Sequence, residues 1–150
     1  MDNAVNIEEN TIIVDKITNG YVIDHIKAGY GMTIYKQLKL DDLAYHADCS
    51  VALIQNVHST KYGRKDMIKI QGSIHIDMNV LGYIDPHLTV ITIENDSVQS
   101  KKKLSLPGKL TGVIACKNPR CITSIETGME HEFVLSGTKY RCVYCEQEFK

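Results

Sequence analysis

The sequence has no tryptophan, and its 17 basic side chains are offset by 18 acidic ones, for a net charge of −1. That balance excludes a general polyanion binder; any basic site has to be local. No apolar run approaches the roughly 20 residues needed to span a bilayer. The opening stretch, Met1-Asp-Asn-Ala-Val-Asn-Ile-Glu-Glu-Asn10, lacks the basic and apolar regions of a signal peptide. The expected compartment is therefore the cytoplasm, where thiols stay reduced and free to bind metal. No two of the six histidines have the His-x-x-x-His spacing, which counts against a helix-borne catalytic zinc site. What remains is globular in composition: 43% hydrophobic and 23% charged over 150 residues, enough for one ordinary domain or two small ones.

Four of the five cysteines fall in two hooks, Cys116-Lys-Asn-Pro-Arg-Cys121 and Cys142-Val-Tyr-Cys145. Thiolates are soft ligands, and four of them close a tetrahedral shell around Zn²⁺. Asn118-Pro119 bends the first hook, and the second is the compact Cys-x2-Cys form. Two disulfides are the alternative, and the spacing and compartment favour metal. A shell filled by Cys116, Cys121, Cys142 and Cys145 leaves no position for water, so the expected zinc is structural, one per chain. His131 lies between the hooks and could replace one thiolate, but a surface position is the expectation. Cys49, in an apolar run with strand character, is expected to be buried and inert.

Along the chain, Thr11–Ile17 and Tyr21–Ile26 flank an Asn19-Gly20 turn signal, predicting a hairpin or a tight strand corner. Met32 to Leu43 predicts a helix with Met32, Tyr35 and Leu38 inward and Lys36 and Lys39 outward. Val51 to Val57 predicts a strand, His58 to Asp66 a cationic loop, and Met67 to Gln71 another strand. A second helix is expected from an Asp77 N-cap to about Tyr83, ended by Pro86. Leu88 to Ile93 and Ser97 to Lys101 complete the strands around a turn at Glu94-Asn-Asp96. Lys101-Lys-Lys-Leu-Ser-Leu-Pro-Gly108 has the composition of a linker. Beyond it, about forty residues with short apolar strands need a metal to fold. The expected class is α+β: an N-terminal ferredoxin-like sandwich, its mostly antiparallel sheet covered on one face by two helices, then a small antiparallel zinc-ribbon-like domain. The boundary is expected between residues 1–103 and 104–150.

Val22-Ile-Asp-His-Ile26, Gly63-Arg-Lys-Asp-Met-Ile-Lys-Ile70, Ser105-Leu-Pro107 and the four cysteines occur in a particular order. In that order and approximate spacing the chain resembles the aspartate carbamoyltransferase regulatory chain, from about Ile12 to Phe149. The resemblance implies a noncatalytic subunit with a nucleotide-binding allosteric domain and a zinc domain that grips the catalytic chain. In the family, regulatory-chain dimers tie catalytic trimers together, and CTP (inhibitor) and ATP (competing effector) tune the first committed step of pyrimidine synthesis. Asp24 and His25 match the Asp-His pair near the family's nucleotide site. Lys65 and Lys69 match its two lysines after Gly-Arg, and Lys101 matches the lysine ending the last strand. The segment Val14, Asp15, Lys16, Ile17 matches the strand whose backbone reads the base, while Val22, Ile93 and Val98 would wall the pocket. The chain departs from the family at Ile91, often Asn, at Asp96, usually aromatic, and at Pro119 and Arg120 in the first hook.

Lysines are mobile point charges suited to phosphate, and an Asp accepts hydrogen bonds from ribose hydroxyls. The alternative reading is a zinc-ribbon nucleic-acid-binding protein, using Lys101, Lys102, Lys103, Lys109, Lys117 and Arg120. The overall acidity and the absence of tryptophan weigh against it.

Overall fold

The computed structural model describes residues 16–42 and 48–149. Val14, Asp15 and the Thr11 end of the expected hairpin lie outside the described residues, as does Leu43. The chain divides into two compact units, Met1–Ile76 with His87–Leu104, and Asp77–Pro86 with Ser105–Lys150.

Period-two patterning builds the first unit. Strands β1 (Gly20–Lys27), β2 (Cys49–Ser59), β3 (Gly63–Gly72), β4 (Thr89–Glu94) and β5 (Ser97–Lys103) form one sheet in the order β2-β3-β1-β4-β5. Every neighbouring pair is antiparallel. Ile23, Ile68, Ile70 and Val90 project from one face and are almost wholly buried. Their alternation with Val22, Lys69 and Ile91 separates an apolar face from a mixed one. Helix α1 (Gly31–Gln37) packs against β2 and β3.

The helix is turned from the expected phase. Its buried residues are Gly31 and Ile34, while Met32 is 41% exposed. A Cβ at Gly31 would stand 2.8 Å from Asp66 Oδ2 and from Leu53 Cδ1, so only glycine lets the helix approach this closely. The segment His58–Asp66 is not a loop either. β2 and β3 form one long hairpin whose pairing reaches Ser59↔Gly63, so the cations Arg64 and Lys65 lie on a strand. The segment's polar, cationic composition masks the strand character, and only residues 60–62 turn the chain; a β-bulge lies just upstream, between Ile54 and Val57. Lys101–Lys103 likewise belong to β5 and not to a linker; an edge strand carries exposed lysines readily. The β4–β5 turn falls where expected, with Asn95 and Asp96 both at left-handed φ (50° and 67°), as a two-residue hairpin turn demands.

The second unit begins with α2 (Met78–Ile84), whose Asp77 N-cap accepts from the amides of Asn79 and Val80 at 2.9 and 3.4 Å. The tight contact at Gly82, where a Cβ would meet Ser105 O at 2.4 Å, admits no side chain. Strands β6 (Lys109–Thr111), β7 (Glu132–Ser136), β8 (Lys139–Cys142) and β9 (Glu148–Phe149) form a second antiparallel sheet in chain order, with the short helix α3 (Ile122–Ile125) in the β6–β7 connection. Leu110, Phe133 and Tyr140 make its core beside Cys116, Cys121 and Cys142. Tyr140 sets its ring edge-on to Tyr83 at 5.4 Å and donates its hydroxyl to Pro107 O at 2.7 Å. The architecture is thus an antiparallel sheet unit with few helices, followed by a small antiparallel domain built around cysteines. No helix among the described residues is long and apolar enough to cross a membrane.

Candidate functional site

Two constellations stand out, one in each unit. In the second, Cys116 and Cys121 flank a bend and Cys142 and Cys145 a β8 turn, and their four sulphurs all lie within 4.8 Å of one another. Cys116 Sγ stands 3.7 Å from Cys145 Sγ, and Cys121 Sγ 3.8 Å from Cys142 Sγ. A tetrahedron with metal–sulphur bonds of about 2.3 Å has edges of about 3.8 Å, so the four thiols fit a single metal ion. Burial pushes the Cys116 thiol up to about 12, whereas hydrogen bonds from the Gln147 amide and Asn118 bring Cys145 down to about 7. A bound cation would hold all four as thiolates. His131 is half-buried, and its Nδ1 accepts the Cys116 amide at 3.0 Å. It braces the first hook and is not among the clustered ligands.

The second constellation is the mixed face of the five-stranded sheet. Register aligns Ala52, Lys69, Val22, Ile91 and Lys101 in one row across all five strands. One row away stand Ile93 and Val98, and on the other side Asp24 and Thr89. Lys65 is four residues from Lys69 on β3, so both project to this face roughly 13 Å apart. The fold therefore gathers Val22, Asp24, His25, Lys65, Lys69, Ile91, Ile93, Val98 and Lys101 on one surface. Val22 is buried among them, whereas Val98 is 63% exposed.

Lys65 Nζ sits 2.8 Å from Asp24 Oδ1. Burial raises the Asp24 carboxyl, but the Lys65 hydrogen bond, the His25 amide at 2.6 Å and the charges of Lys65 and His25 outweigh it, leaving it below the usual carboxylate range. His25 occupies a bulge with left-handed φ of 62°, its Nδ1 3.0 Å from Thr89 Oγ1. Burial, with smaller contributions from Lys65, Lys61 and Lys101, outweighs the attraction of Asp24 and lowers its imidazole. Next to Lys69 a hollow of about 370 Å³ is lined by Lys16, Ile17, Thr18, Ser50, Val51, Ala52 and Gln71. Ile17 itself is buried. Gln71 accepts the Thr18 amide at 2.9 Å and donates to Thr18 Oγ1 at 2.7 Å, and the Asp96 amide donates to Thr18 O at 3.0 Å. Gln71 and Thr89 are not among the residues expected from sequence; each lies two residues from one that is, Lys69 and Ile91, on the same strand face, and that spacing is the signal that points to them.

The comparisons with known proteins divide the chain similarly. Residues 12–105 match the profile described as aspartate carbamoyltransferase regulatory chain, allosteric domain, and residues 108–150 match the metal binding domain of the same chain. A curated aspartate carbamoyltransferase regulatory chain from Clostridium botulinum is 49% identical over 139 residues, covering 91% of this chain and 92% of that one. The Clostridium tetani regulatory chain is 48% identical over 143 residues (93% and 96%), and that of Bifidobacterium longum 40% over 140 residues (91% and 98%).

Proposed function

Because this chain belongs to the aspartate carbamoyltransferase regulatory chain family, we propose that it binds nucleoside triphosphates on the mixed sheet face and passes that signal to a catalytic chain through its metal domain. Residues 1–103 form the nucleotide-binding domain and residues 104–150 the docking domain. The observation that carries this reading is the row Lys69–Val22–Ile91–Lys101, with Asp24, His25 and Lys65 beside it. A nucleoside triphosphate requires cations for its phosphates and, beside them, an apolar surface for its base. Lys69 and Lys101 hold phosphate, Asp24 takes ribose hydroxyls, and the backbone at Lys16 and Ile17 reads the base. Ile93 and Val98 wall the pocket. Ile91, where the family often has Asn, offers the base no amide.

The metal is Zn²⁺, held by Cys116, Cys121, Cys142 and Cys145 and chemically silent, since four thiolates leave no place for water. It fixes the hooks whose outer loops dock on the catalytic chain. Regulatory chains pair as dimers, tie catalytic trimers together, and act in the cytoplasm on the first committed step of pyrimidine synthesis. CTP inhibits and ATP competes, each shifting the assembly by its differential affinity for two quaternary arrangements. The nucleic-acid reading is weaker, because along β5 the lysines divide between the two faces: Lys101 and Lys103 on one, Lys102 on the other. Equilibrium dialysis of CTP, run beside titration with single- and double-stranded DNA at several salt concentrations, separates the two. Saturable CTP binding supports the regulatory reading. Steeply salt-dependent DNA binding without CTP binding would replace it.

A further inference from the structure

Asp66 is a carboxylate with no exposure, on the apolar face of β3 between Lys65 and Met67. It accepts three backbone amides from two other segments: Gly29 at 3.1 Å and Gly31 at 2.9 Å on Oδ2, and Asn56 at 2.9 Å on Oδ1. The first two lie just past the end of β1, and the third lies in β2.

β3 pairs on both sides, and both neighbours are bulged at the level of Asp66. On β1, Ile23 pairs with Ile68 and Ile26 with Asp66, so Asp24 and His25 together face the single position Met67. On β2, Ile54 pairs with Met67 and Val57 with Lys65, so Gln55 and Asn56 together face Asp66. Each bulge contains a non-glycine residue at left-handed φ, His25 at 62° and Asn56 at 59°. Such backbone persists only where its surroundings over-determine it, and bulges re-aim side chains beside functional sites. The β1 bulge does this here. Regular alternation would turn His25 to the face opposite Asp24 and would expose Ile26, which is in fact wholly buried. The extra residue keeps Asp24 and His25 together on the mixed face, within reach of Lys65 and Thr89.

We infer that Asp66 is a positioning residue: its buried carboxylate holds the β2 bulge at Asn56 and the chain leaving β1 at Gly29 and Gly31, and so fixes both strands beside β3 in the register that brings Asp24, His25 and Lys65 together on the opposite face. It touches no ligand. Its amide contacts act on both sides of the strand that carries Lys65, and an amide side chain in its place would present one acceptor oxygen where the carboxylate presents two. The consequence for nucleotides rests on the ligand face proposed above; the consequence for the Asp24–Lys65 pair does not.

The test uses the full chain in two variants. Asp66→Asn removes one acceptor, and Asn56→Val places a β-branched residue at an exposed position whose φ it disfavours, loosening the β2 bulge while leaving Asp66 intact. Ile70→Val, on the same strand and equally buried, serves as a control for general destabilisation. Carboxyl ¹³C NMR of the ligand-free protein follows the titration of Asp24. We expect it to rise toward the ordinary carboxylate range in both bulge variants and to stay low in the control. CTP affinity should fall about tenfold in Asp66→Asn, and much less when Lys65→Ala is already present. If Asp24 titrates unchanged in whichever bulge variant folds, or moves equally in the control, the inference is wrong. If Asp24 shifts as expected but the parent chain binds no CTP, the inference stands and the nucleotide reading falls.

Discussion

Lys69 and Lys101 flank Val22 and Ile91 in one row, and neither charge carries such a meaning on its own. Lysine is mostly exposed in any protein, so composition says nothing about these two; only their shared register does. Charge-assisted contacts to phosphate contribute about 1.5–3 kcal/mol each. Lys69→Ala and Lys101→Ala should therefore each weaken CTP binding by at least tenfold, read by isothermal titration, without altering the melting temperature appreciably. His25 sets a pH dependence. Its imidazole is lowered in the folded protein, so the unfolded state takes up the proton first and stability declines as the pH falls below the ordinary histidine range. A triphosphate nearby favours the protonated ring and reverses that preference. CTP affinity should rise as the pH drops through the histidine range, with net proton uptake measurable from titrations in buffers of different ionisation enthalpy, and His25→Asn should flatten the profile. Asp24 acts on stability in the same direction, over the carboxylate range. Its lowered carboxyl stabilises the fold at neutral pH, and that contribution disappears as the pH falls through its folded value. The chemical identities of Asp24, His25, Lys65, Lys69 and Lys101 were legible in the sequence. Their neighbours Thr89 and Gln71 share strand faces with Ile91 and Lys69, but their partners, His25 and Thr18, lie 64 and 53 residues away in the chain, and only the fold shows those pairings.

Elements were legible where one local rule governed them. The Asp77 cap and Pro86 stop bracket α2 as expected, and the observed helix is Met78–Ile84. Replacing Asp77 by Ala removes the acceptor for two amides and should cost about 1 kcal/mol, seen as a lower denaturant midpoint at unchanged slope. Rules failed where a tertiary contact overrode them. The phase of α1 follows the close approach of Gly31 to Asp66 and Leu53, not the spacing of Met32 and Tyr35. A Gly31→Ala chain should lose stability by about 1–3 kcal/mol through that overpacking, read by urea unfolding. The β2–β3 hairpin looks like a loop in sequence because the residues around its tip are polar and cationic. The lysines of β5 look like a linker in sequence because an edge strand tolerates a run of exposed charge.

At the scale of the whole molecule, the two units differ in what holds them. The first has a five-stranded sheet with a continuous apolar face; the second has a core of a few side chains clustered with its cysteines. Structural zinc contributes on the order of 10–16 kcal/mol of apparent binding energy in small peptides, far more than such a core supplies. Stripping the metal with a mercurial should unfold the second unit and release the catalytic chain, while the first unit keeps its sheet and its CTP affinity. Intact association with zinc demonstrably gone would refute the docking role. Sensing would then fall to one unit and docking to the other, a division of labour that shows in the kinetics of the assembly. Its most direct measurement combines this chain with the catalytic chain of the same organism and follows carbamoyl-aspartate formation against aspartate concentration. CTP should shift the curve toward higher aspartate, ATP should compete with that shift, and Lys69→Ala should blunt both. Superimposable curves with and without either nucleotide, in an assembly shown to be intact, would contradict it.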